Sequence, residues 1–125
     1  MHPSNFKSFG LLLFRVLISA SFLTHGSSKA IKLLNGDFSF ADPIGIGELP
    51  TLILAVIAEV IAPLFIIIGY KTRLASLPAI ATMIVALVIV HINDGFVRQE
   101  LPLLYLLSFL LIFIIGPGKI SVDKS

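Results

Sequence analysis

The chain has 125 residues, 57% of them hydrophobic, with a mean hydropathy of +1.04 and a formal charge of +2. Ordinary soluble domains are closer to half apolar, so this composition excludes a typical soluble enzyme and reads as an integral membrane protein. There is no cysteine, which excludes a disulfide framework and a self-contained thiol relay.

Four segments are apolar enough to cross a bilayer: about Ser8 to Ser28, Glu48 to Gly69, Leu74 to Ile92 and Leu101 to Ile115. Each is near the ~20 residues that span about 30 Å. Continuous apolar runs without period-two alternation select helices over barrel strands. The expected fold is all-α, an antiparallel four-helix transmembrane bundle forming a single domain over 1–125. That leaves no room for a soluble catalytic module, and nothing calls for nucleic acid.

In the first segment, Lys7 followed by "SFGLLLFRVLISASF" resembles a secretory signal, but Arg15 interrupts it and no A-x-A site follows, so it is expected to stay as a helix. Helical phase from Arg15 carries Ser19, Phe22, Gly26 and Lys29 along one inward stripe, with His25 beside it. The following "KLLNGDFSFADPIGIGELP" is long, acidic and Gly-rich, yet holds Phe38, Phe40, Ile44 and Ile46. It is expected to fold back onto the outer mouth of the bundle, as a lid or as interfacial packing.

The second segment contains "AVIAEVIAPLFIIIG", with Glu59 near mid-span, Ala55, Ala58 and Ala62 on or beside its face, and Pro63 one turn on. Pro63 lacks the amide that would bond the Glu59 carbonyl, so a kink is expected there. Measured from one membrane side, Arg15 and Glu59 come to depths of about 10 and 15 Å. An Arg15–Glu59 bridge is the economical arrangement, as a register device or as the polar centre of a ligand site.

The short "GYKTRL" makes the second and third helices antiparallel neighbours. "VHINDGF" closes the third, and Glu100-Leu101-Pro102 reads as the start of the fourth, with Glu100 near the positive end of the helix dipole. His25, Lys29, His91 and Glu100 are thereby expected as an outer-mouth polar cluster. The histidines read as interfacial polarity, as proton carriers or as ligand contacts. Haem held by His25 and His91 is geometrically open, but nothing else asks for a porphyrin, and no other metal site is expected.

Lys7, Lys71, Arg73, Lys119 and Lys124 fall on one side, against Lys29, Lys32 and Arg98 on the other. This bias places both termini in the cytoplasm and the loop between helices one and two outside the cell membrane.

In "FRVLISASFLTHGSSKAIKLL", the stretch around Glu59 ending in "IIIGYKTRLAS", "HINDGF" and "GPGKISVD", the chain resembles the DoxX family of small four-helix membrane proteins. The resemblance implies a redox context: a bacterial inner-membrane subunit linked to quinone- or sulfur-handling oxidoreductases, or an anchor that gathers them. Arg15, His25, Gly26, Lys29, Glu59, Gly69, Arg73, His91, Glu100, Gly116, Pro117, Gly118 and Asp123 fall on its motif positions. The expected function is that of an accessory, non-catalytic subunit, oligomeric or docked to a redox protein, holding a quinone or small apolar ligand. Two rivals are a small transporter or proton-conducting subunit gated by Glu59, and a purely structural anchor.

Overall fold

The computed structural model describes residues 3–124, with side chains from residue 5 onward. Four helices emerge: α1 (Pro3–Leu34), α2 (Glu48–Ile68), α3 (Thr72–Val90) and α4 (Phe96–Ile115). All four are long and apolar enough to cross a membrane. Their outward faces expose Leu17, Leu54, Ile61, Leu74, Val88 and Leu107, an arrangement suited to lipid rather than water.

α1 is 32 residues long, or about 48 Å at 1.5 Å per residue, well over the hydrocarbon thickness. It therefore runs beyond the expected Ser28 terminus, and Lys29 lies within the helix. α4 begins at Phe96, after Gly95, so Pro102 falls in its second turn. Glu100 is therefore not at the helix start, a correction to the sequence reading. The left-handed Gly95 (φ 81°) breaks the chain earlier than the proline does.

α2 is not uniformly α. Residues Ile57–Ile61 form a π-helical turn, with the Ala62 amide bonded to the Ile57 carbonyl. In a regular α-helix the Pro63 ring would collide with the Glu59 carbonyl, and the wider turn relieves that conflict. A second π turn, Ala86–Val90, ends α3 and is closed by the His91 amide on the Ala86 carbonyl at 2.9 Å.

The core joins Phe22 of α1, Ala62 and Ile66 of α2, Ala75, Ala79, Ile80 and Met83 of α3, and Tyr105, Phe109 and Ile112 of α4. Phe22 meets Phe109 edge-on at 4.8 Å between ring centroids, a favourable aromatic geometry. The alanines let α2 and α3 approach closely near their connection. There, Gly69 (φ 74°) ends α2 in a Schellman turn, its own amide on Ile66 and the Tyr70 amide on Phe65.

Candidate functional site: a crevice on an ion pair

Arg15 and Glu59 are both buried, at 1% and 2% exposure, but they do not bridge each other. Glu59 instead accepts two hydrogen bonds from Lys29 Nζ, at 2.6 and 2.5 Å. Side chains on a helix lean toward its N-terminus. Lys29, from the far end of α1, therefore leans back toward mid-helix and meets Glu59. Arg15 leans the opposite way from Glu59, toward the end that carries both termini.

At that end Arg15 gathers backbone carbonyls: Nη1 donates to Pro117 at 2.5 Å, and Nη2 to Ile67 at 3.2 Å and Ile120 at 3.0 Å. The segment after α4 thus lies against the last turn of α2, and the amides of Val122 and Asp123 bond the carbonyls of Ile68 and Gly69. Asp123 in turn accepts from the amides of Lys71 and Thr72, both at 2.9 Å, satisfying two donors at the start of α3. The Thr72 amide bond foremost, with that from Lys71, holds the Asp123 carboxyl below its ordinary 3.8. Arg73 completes the closure by bonding the Phe113 and Ile115 carbonyls at the end of α4.

Lys29 and Glu59 meet because α1 and α2 touch at Gly26. A methyl group there would lie 2.3 Å from the Glu59 carbonyl oxygen and 2.8 Å from Glu59 Cβ. The carbonyl that Pro63 leaves without its amide partner therefore packs on a glycine.

Away from their short connection, α2 and α3 leave a crevice of about 500 Å³ between them. Its walls are largely apolar, built from Leu54, Ala55, Ile57, Ala58, Ala81 and Val85, with Lys29 and Glu59 reached inside and His91 also lining it. Leu54 and Ile57 are 52% and 41% exposed, so the crevice opens sideways between lipid-facing surfaces. Phe40, Pro43 and Ile44 of the connecting loop cover part of it, and Lys29 Nζ sits 5.9 Å from the Phe40 ring centroid.

Two acids shape that loop. Asp42 accepts from the amides of Ile46 and Gly47, both at 2.9 Å, before α2. Asp37 pairs with Lys32 at 2.9 Å and binds Ser39, and these contacts, the Ser39 hydroxyl foremost, pull its carboxyl down to about 2.

Of the sequence-derived outer cluster, Lys29 and His91 share the crevice, while His25 and Glu100 do not line it. His25 is exposed and meets the Tyr105 ring edge-on at 5.7 Å, so the two imidazoles have different neighbours. Glu100 is exposed on α4. No group of three or more metal-binding side chains converges among the described residues.

A family model for DoxX matches residues 10–92, two thirds of the chain. The chain belongs to the DoxX family. Two Haemophilus influenzae proteins, each described as an uncharacterized protein, are also similar. One is 26% identical over 95% of this chain and 92% of its own length, and the other 29% identical over 90% and 80%. No solved structure matches. The part of this DoxX chain matched by the family model contains Arg15, Gly26, Lys29, Glu59, Gly69, Arg73 and His91, while α4 and Asp123 lie beyond it.

Proposed function

We propose that this DoxX protein is an accessory subunit of a quinone- or sulfur-linked redox system in the bacterial inner membrane. It holds a quinone-like ligand between α2 and α3 for an oxidoreductase partner and transfers no electrons itself. The observation that carries this reading is a largely apolar crevice of about 500 Å³ with the Lys29–Glu59 pair inside it, Glu59 buried and Lys29 partly exposed. Volume and lining are those of sites for small apolar molecules with a few orienting polar groups. Ionisable groups within membrane spans are by default functional positions.

Lys29 has a third N–H beyond the two that Glu59 takes, enough to orient one headgroup oxygen. The excess of Lys and Arg on the side of the termini supports cytoplasmic placement of both. The exposed apolar flanks leave room for a second copy or a membrane partner.

The test is extraction in gentle detergent followed by mass spectrometry of co-purifying proteins and lipid-soluble molecules, comparing the parent with Ala81→Phe, which fills the crevice. The expected result is a prenylated quinone or similar molecule with the parent and its depletion in the variant. Identical profiles would remove the ligand reading and leave a structural anchor. Proton flux in proteoliposomes that falls with Glu59→Gln would favour a conducting subunit instead.

A further inference from the structure

The polar groups along the crevice are unevenly divided between donors and acceptors. The Thr51 hydroxyl donates to the Gly47 carbonyl at 2.7 Å, and that of Thr82 to the Pro78 carbonyl at 2.9 Å. Two of the three Lys29 N–H groups are held by Glu59. His91 Nδ1 lies 2.8 Å from Asp94 Oδ2. A carboxylate at Nδ1 keeps the proton of a neutral imidazole on that nitrogen, so Nε2 presents a lone pair.

His91 is also fixed in place through its backbone. Its amide bonds the Ala86 carbonyl at 2.9 Å, and its carbonyl accepts from the Asp94 amide at 3.1 Å and from Gln99 Nε2 of α4 at 2.8 Å. One uncommitted donor, on Lys29, therefore shares the crevice with the acceptor nitrogen of His91 and the remaining lone pairs of the Glu59 carboxylate.

We propose that the crevice selects the hydroxylated form of its ligand: a phenol or hydroquinone head on an apolar tail, with a hydroxyl donated to His91 Nε2. This rests on the ligand reading given above and adds which redox form is held. A quinone offers only acceptor oxygens, which the Lys29 donor can meet but His91 cannot. A hydroquinone offers donors as well. Asp94 is a positioning residue here, because it sets which imidazole nitrogen carries the proton.

The probes are para-pentylphenol and its methyl ether, para-pentylanisole, which differ in the donated hydrogen. Affinities are measured calorimetrically on the detergent-solubilised full chain at about pH 8. The phenol is expected to bind about fivefold more tightly than the ether, as one hydrogen bond to a partly exposed partner supplies. In His91→Phe that preference disappears while the ether binds as before, and in Asp94→Asn it shrinks. Ala81→Phe weakens both probes.

Equal binding of phenol and ether to the parent, both still lost in Ala81→Phe, overturns the proposal and leaves the crevice a ligand site. A phenol preference that survives in His91→Phe overturns it as well, assigning the hydroxyl to another acceptor. Binding of neither probe, or binding indifferent to Ala81→Phe, removes this proposal together with the ligand reading.

Discussion

Replacing Gly26 by alanine should separate two helices that otherwise touch through backbone. The added Cβ would sit 2.3 Å from the Glu59 carbonyl oxygen and 2.6 Å from its carbon, whereas ordinary contact begins at 3.4 Å. Both atoms are main chain, so no rotamer change relieves the overlap, and α1 and α2 must part by about 1 Å. Overpacking of this kind costs ~1–3 kcal/mol, and a backbone clash belongs at the upper end. Against it stands the ~1 kcal/mol that Gly→Ala gains inside a helix.

Gly10, on the same helix with nothing within 4 Å of its notional Cβ, provides the control. The propensity gain is common to both substitutions and cancels in their comparison. Gly26→Ala should therefore be about 3 kcal/mol less stable than Gly10→Ala. The assay is reversible unfolding in mixed micelles with a graded denaturing detergent. Equal stability of the two variants, within about 0.5 kcal/mol, would refute a backbone contact at Gly26.

Lys29→Met should destabilise the protein by roughly 3 kcal/mol, because it strands the buried Glu59 carboxylate, and Glu59→Gln by less, because Lys29 is partly exposed, whereas the double variant should recover much of the loss. A double-mutant cycle reads this as a coupling above about 1 kcal/mol, and additive losses would contradict the pair. Arg15→Lys keeps the charge but not the fork that reaches three carbonyls, so residues after Gly118 should become accessible to protease, more so in Arg15→Met; unchanged cleavage would oppose a clamp on this segment. The Asp123 carboxyl lies below 3.8 when folded, so its contribution is present above 3.8 and is lost as pH falls through the lower folded value. Parent protein should show this acid-side loss of stability, whereas Asp123→Ala should lose less, Asp37 still contributing, and be about 1 kcal/mol weaker at neutral pH.

The spans were legible because lipid demands long uninterrupted apolar runs, and Glu59 stood out because an acid in such a run is costly. Its partner was not legible from depth along the axis. Counting rise per residue places Arg15 and Glu59 near each other, but ignores the lean of side chains toward the helix N-terminus. That lean, opposite in effect for Arg15 and Lys29 relative to Glu59, decides the pairing. Glu100 misled for a different reason. Glu-Leu-Pro has the form of a helix start, but Gly95 had already supplied one a turn earlier. The contacts of Asp123 carry no local signal, since they depend on the chain returning from α4 to amides 51 and 52 residues earlier. The π turn was visible only as the conflict between Pro63 and the Glu59 carbonyl.

The two ends of the bundle are built on different principles, and the difference explains where the crevice lies. At the end bearing the termini, the carbonyls of Ile67, Ile68, Gly69, Phe113 and Ile115 and the amides of Lys71 and Thr72 all find partners, with Arg15, Arg73 and Asp123 supplying the side chains. A backbone satisfied in this way holds α2 and α3 together at their short turn, and the alanine contacts extend that union to mid-membrane. Beyond it, each helix contains a π turn, one at Ile57–Ile61 and one at Ala86–Val90, and both border the opening. About one extra residue in the turn at Ile57–Ile61 shifts the face of α2 on the Glu48 side of it, so two helices packed at one end need not stay packed at the other. The crevice is then a consequence of the fold, and Lys29 with Glu59 supplies polarity between walls that are largely apolar.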